Sequence, residues 1–96
     1  IHANLMHCFL WAKQWPELLE EVDKYRRLVK SKGQLSDILM RITDFSELIA
    51  KQMLKETDLT DAQLWASSKA ILRDHPRWFE DMVPYVFDQL GFEKGQ

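Results

Sequence analysis

The chain has 96 residues, of which 46% are hydrophobic and 29% charged, and its formal net charge at pH 7 is −2. This composition excludes an intrinsically disordered chain, and the small negative charge excludes a general attraction to nucleic acid or anionic lipid. A single cysteine, Cys8, excludes an intramolecular disulfide and favours an intracellular, reducing compartment, either the cytoplasm or an organelle matrix.

Apolar residues recur at helical spacing along the chain, whereas strict alternation and Asn-Gly or Asp-Gly hairpin turns are absent from the sequence. We therefore predict an all-α fold, either a compact bundle or an array of helical hairpins, with four to five helices in one domain over residues 1–96. No apolar run reaches the roughly 20 residues of a membrane span, so we expect a soluble protein without one. A start at Ile1 rather than Met suggests a processed form or part of a longer chain.

The first two helices are predicted at about Ala3 to Gln14 and from Trp15-Pro16 to a stop at Gly33. Proline suits the first position of a helix because its missing N–H would have no partner there. Acidic residues follow at the start of the second helix and lysines lie near its end, which complements the helix dipole. Its predicted buried stripe consists of Leu18, Val22, Tyr25 and Val29.

A third helix is predicted from a cap at Ser36, where Leu35 and Met40 have the spacing of a hydrophobic staple. Asp44 and Glu47 have capping-box spacing inside this segment, which leaves open a bend near Thr43 or two short helices. The apolar phase continues unbroken and favours one helix, with Ile38, Ile42, Phe45, Ile49 and Met53 along one face.

The segment "LTDAQL" predicts the start of the next helix, because Thr60 and Gln63 can form a capping box. This helix is expected to end near Asp74, and Pro76 then begins the last one, which is expected to end at Lys94-Gly95. Pro84 lies on the polar face of the last helix, where its ring can face water, and a kink is expected at that point.

The apolar arc of the last helix spans roughly 200° at 100° per residue, about twice what an ordinary surface helix needs. Central burial and contact with another chain explain this arc equally well. Its members are Trp78, Phe79, Met82, Val83, Tyr85, Val86, Phe87 and Leu90.

Exposed apolar patches usually mark interaction sites, and buried aromatic anchors dominate many interfaces. We therefore predict a non-enzymatic protein-protein interaction module, an accessory or adaptor subunit in complex assembly that docks a partner through its aromatic-rich C-terminal helix. Homo-oligomerisation is left open. The predicted partner-binding residues are Trp78, Phe79, Met82, Tyr85 and Phe87, with Trp11 and Trp15 as a second choice.

The alternative is a small nucleic-acid-associated regulator that uses the basic end of the second helix. Nucleic-acid binding usually needs basic residues on one face, whereas these are spread around the helix at 100° per residue, so this alternative is less favoured. Its residues are Lys24, Arg26, Arg27, Lys30 and Lys32.

The sequence contains no convincing pattern of catalytic or metal-ligating residues. His2, His7 and Cys8 lack the number and spacing of zinc ligands, so no metal is predicted. Ser67, Ser68 and Lys69 are neighbours in sequence and point in different directions on a helix. The paired acids Glu20/Glu21 and Glu80/Asp81 lie in first helical turns, where the dipole favours them. We therefore expect neither an enzyme nor a cofactor.

Overall fold

The computed structural model describes residues 13–32 and 37–95, which contain four α-helices and no strand. The helices are α1 (Trp15–Lys32), α2 (Asp37–Met53), α3 (Asp61–Ile71) and α4 (Pro76–Leu90). This confirms the all-α prediction. Most of the helix predicted at about Ala3 to Gln14, and the predicted stop at Gly33 and cap at Ser36, lie outside the described residues.

The chain divides into two compact units, Ile1–Thr57 and Asp58–Gln96. The first contains the packed pair α1 and α2, and the second contains the packed pair α3 and α4. None of the helices in the described ranges combines the length and the apolar character that crossing a bilayer requires.

The core of the first unit follows the predicted helical stripes. Leu18, Val22 and Tyr25 of α1 are buried, and Val29 at the end of the stripe is half-buried. Helix α2 is continuous from Asp37 to Met53, which confirms the prediction of one helix. The Thr43 hydroxyl donates a hydrogen bond to the Leu39 carbonyl at 2.7 Å. The buried apolar residues of α2 are Ile42, Phe45, Ile49 and Ala50.

The second unit begins at the predicted capping box. The Gln63 backbone N–H donates to Thr60 Oγ1 at 3.1 Å, and the Thr60 N–H donates to Gln63 Oε1 at 2.9 Å. These two bonds satisfy amide groups that would otherwise lack a partner at a helix start. Helix α3 ends at Ile71 and continues as a turn through Asp74, so its predicted end was close but late.

Helix α4 begins with Pro76 at its first position, as predicted, and continues through Pro84 to Leu90. Pro84 is half-buried. Gly91 ends the helix in the left-handed conformation with φ +78°, and its N–H bonds to carbonyls of the last turn. A glycine is favoured there because residues with a Cβ are strained at this φ.

Candidate functional site

The apolar arc of α4 is divided between core and surface. Met82 and Phe87 are buried together with Val83 and Val86. Phe79 is half-buried, whereas Trp78 is 42% exposed and Tyr85 is 53% exposed. The five residues predicted on this helix therefore do not form one surface, because Met82 and Phe87 serve the core and Trp78 and Tyr85 face outward.

The buried side of α4 joins an aromatic cluster formed by Trp65, Phe79, Phe87 and Phe92. The Trp65 ring lies 5.1 Å from both Phe79 and Phe87, at interplanar angles of 75° and 81°. Phe87 meets Phe92 at 5.5 Å and 68°. These edge-to-face arrangements are favoured by the charge distribution of aromatic rings, so this cluster stabilises the second unit.

The segment Phe92–Gly95 covers this aromatic cluster. The Glu93 N–H donates to Asp61 Oδ2 at 2.8 Å, and Lys94 Nζ lies 2.9 Å from Asp88 Oδ1. Gly95 packs directly on the indole of Trp65, whose Nε1 is buried without a hydrogen-bond partner in the described part of the chain. The sequence pattern predicted that α4 continues to Lys94-Gly95, whereas the helix ends at Leu90 and this segment packs back on the cluster instead.

The exposed side of α4 carries three residues on one helical face, Trp78, Asp81 and Tyr85, which we call the aromatic face. Their spacing of three and seven residues places them side by side over two turns. Asp81 is exposed and forms no ion pair within residues 13–32 and 37–95. The second unit has seven acidic and four basic residues, so the aromatic face belongs to a unit with a net charge of −3.

A groove with a volume of about 300 Å³ lies on the first unit and is lined by residues of α1 and α2. Tyr25 and Val29 contribute apolar surface from α1, and Met40, which is 45% exposed, contributes it from α2. Burial raises the pKa of the Tyr25 phenol, which is uncharged at neutral pH even at its ordinary pKa. The remaining lining residues are Arg26, Lys30, Thr43 and Asp44.

Arg26 is held by two acidic residues of α2. Its Nη2 lies 2.8 Å from Asp44 Oδ1 and 3.2 Å from Glu47 Oε1, and its Nη1 bonds to Glu47 Oε2. Hydrogen bonding to Glu47 is the main reason that the Arg26 pKa is raised. The capping-box spacing of Asp44 and Glu47 thus places both acids toward α1 and does not start a new helix.

The other predicted basic residues differ in their surroundings. Lys24 lies 3.6 Å from Glu21, whereas Arg27 and Lys30 are exposed and have no ion pair in the described ranges. The side chain of Lys32 lies outside the described residues. The structure therefore leaves Lys30 as the unneutralised cation of the groove.

The second-choice partner-binding residues differ in what the structure describes. Trp15 is 8% exposed and belongs to the core of the first unit, while Trp11 lies outside the described residues. His2, His7 and Cys8, for which no metal was predicted, also lie outside them. Within the described ranges no group of three or more His, Cys, Asp or Glu side chains could hold a metal ion.

The groove was missed at the level of sequence, where Met40 was expected to close a staple with Leu35. The sequence feature that could have indicated the groove is Met40, a large apolar residue next to the buried stripe of α2.

Comparison of the chain with known protein families, with curated proteins and with solved structures finds no match.

Proposed function

We propose that the chain is a non-enzymatic protein-binding module, an accessory or adaptor subunit that docks another protein through the aromatic face of α4. One observation carries this proposal: Trp78 and Tyr85 stand exposed on the same face of a helix whose opposite side is fully occupied by the core. Tryptophan and tyrosine are the residues most enriched among those that dominate binding energy.

The size of the aromatic face sets the expected strength of binding. A fully buried aromatic side chain removes about 150–250 Å² from water, so two half-exposed ones offer roughly 200 Å² together. A standard interface buries about 800 Å² on each partner. The aromatic face is therefore the anchor of an interface that includes polar neighbours, and on its own it supports a weak, reversible contact.

Site-specific photo-cross-linking tests this proposal in the cells that produce the protein. Tyr85 is replaced by p-benzoylphenylalanine, and the same residue at Ala70, an exposed position of α3, is the matched control. We expect discrete protein adducts from position 85, few from position 70, and loss of the adducts when Trp78→Ala is added. Equal adducts from both positions, or none from position 85, would contradict the proposal.

A further inference from the structure

The groove on the first unit and the aromatic face on the second match in size and in apolar character. At about 300 Å³ the groove is at the small end of the roughly 300–1,000 Å³ range of ligand pockets, which suits an aromatic side chain better than a large ligand. Its walls are the apolar surfaces of Tyr25, Val29 and Met40. Trp78 is a protruding aromatic side chain of a suitable size and polarity to enter such a groove.

The charges at the two surfaces are also opposite. Lys30 lines the groove and is exposed without an ion pair in the described ranges, while Asp44, which also lines the groove, is bound to Arg26. On the aromatic face, Asp81 lies one helical turn from Trp78, a separation of about 5–6 Å between Cβ atoms. A Trp78 side chain inside the groove would thus bring Asp81 within reach of the rim that carries Lys30.

The net charges of the two units are also opposite in sign, like the charges of Lys30 and Asp81. The first unit has nine basic and eight acidic residues, a net charge of +1, and the second has a net charge of −3. Opposite charge steers two surfaces together and disfavours contacts between like surfaces. A contact of aromatic face with aromatic face would place Asp81 near Asp81, which this argument disfavours.

We infer that the groove of one copy binds the aromatic face of a second copy, so that the protein associates head to tail. The inference rests on the proposed function because it uses the same face of α4, and it names a second copy of the chain as the partner. Such a contact joins two different patches, and each added copy leaves one groove and one aromatic face unoccupied. Species larger than a dimer are therefore expected at high concentration unless a ring closes.

Sedimentation equilibrium of the purified full chain, from about 10 μM to 1 mM, tests the inference with two variants. Trp78→Ala alters only the aromatic face, and Lys30→Glu alters only the groove. We expect the wild type to gain mass with concentration and each variant to associate at least tenfold more weakly. Both residues are exposed, and circular dichroism will verify that the variants keep their helical content.

Mixing the two variants supplies the decisive measurement. The Lys30→Glu protein keeps an intact aromatic face and the Trp78→Ala protein keeps an intact groove, so together they should form a 1:1 dimer that neither forms alone. Arg27→Glu makes the same charge change three residues from Lys30, outside the groove lining, and should associate like the wild type. The double variant Lys30→Glu with Asp81→Lys should regain association because the two charges are exchanged.

A monomeric wild type at all concentrations would overturn the inference, as would Lys30→Glu protein that associates normally or a mixture that forms no dimer. The experiments distinguish the failure of this inference from the failure of the proposed function. Adducts of other proteins at position 85, together with a monomeric purified chain, would leave the proposed function standing and refute only self-association.

Discussion

Gly95 lies so close to Trp65 that it has no room for a side chain. A Cβ at this position would lie 2.5 Å from Trp65 Cδ1 and 2.9 Å from Cγ, distances that real Cβ atoms do not show. The indole cannot easily move aside, because its ring is also packed against Phe79 and Phe87. The packing of the C-terminal segment on this ring therefore requires a glycine at position 95.

We predict that Gly95→Ala lowers the free energy of unfolding by about 1–3 kcal/mol, the usual cost of forcing an extra methyl group into a packed site. Urea denaturation measures the change. Gly91→Ala is a useful comparison, since its added Cβ would meet no atom within 4 Å and its cost would come from the positive φ alone.

A double-mutant cycle separates these two causes. Combining either glycine substitution with Trp65→Leu should reveal coupling of roughly 1 kcal/mol for Gly95→Ala and almost none for Gly91→Ala. A cycle in which Gly95→Ala is independent of Trp65 would show that the contact does not determine the stability of the segment.

At the scale of helices, α1 and α2 are joined by an apolar seam and by the contacts of Arg26. The forked guanidinium reaches Asp44 and Glu47, which lie three residues apart on the side of α2 that faces α1. The side chain of Arg26 remains 40% exposed, so solvent screens these attractions and limits their contribution. Their geometric effect is to fix which residues of α2 lie opposite the end of α1.

We predict that Arg26→Met destabilises the protein by about 1 kcal/mol, near the upper end for partly exposed ion pairs, because Asp44 loses its ion pair and Glu47 keeps only the longer one to Lys51 at 3.8 Å. Arg27→Met, which breaks no ion pair in the described ranges, should stay within about 0.5 kcal/mol of the wild type. The difference should shrink in thermal or urea denaturation at 1 M salt. An effect of Arg26→Met that is unchanged by salt would indicate lost packing and not lost charge.

Local signals in the sequence were enough to predict most helix starts. Thr60 with Gln63, and Pro76 at a first position, act through backbone groups within a few residues, so no tertiary information is needed to interpret them. The apolar stripes of α1 and α2 were predictable because the spacing of apolar residues along one helix is also a local pattern. The predicted end of α4 at Lys94-Gly95 was wrong, because Gly91 ends the helix four residues earlier.

The candidate site depends on contacts between elements and was harder to foresee. Periodicity placed Trp78, Tyr85, Met82 and Phe87 in one broad arc, but it could not show which half would be covered by α3 and Phe92. The pairing of Arg26 with Asp44 joins residues 18 positions apart, and the groove beside it exists only once α1 and α2 are packed. Neither feature leaves a signal in a local pattern.

On the scale of the whole molecule, the basic residues of α1 do not add up to a basic surface. The chain has a net charge of −2, Arg26 is bound by two carboxylates, and Lys24 lies near Glu21. Arg27 and Lys30 remain exposed. Nucleic-acid affinity depends on how many phosphates are neutralised, so we expect the predicted basic residues that the structure describes to support only weak binding.

We therefore predict that a labelled 20-nucleotide single strand binds more weakly than about 10⁻⁴ M at 0.15 M salt, as measured by fluorescence polarisation. The slope of log K against log salt should be no steeper than about −2, because about 0.7 counterions are released for each phosphate contacted on a single strand and few cations are available. The double variant Arg27→Glu with Lys30→Glu should bind at least as weakly, with no tight binding to lose. Tight binding with a steep slope that this variant abolishes would instead establish a nucleic-acid surface at the end of α1, because apolar docking through α4 predicts neither result.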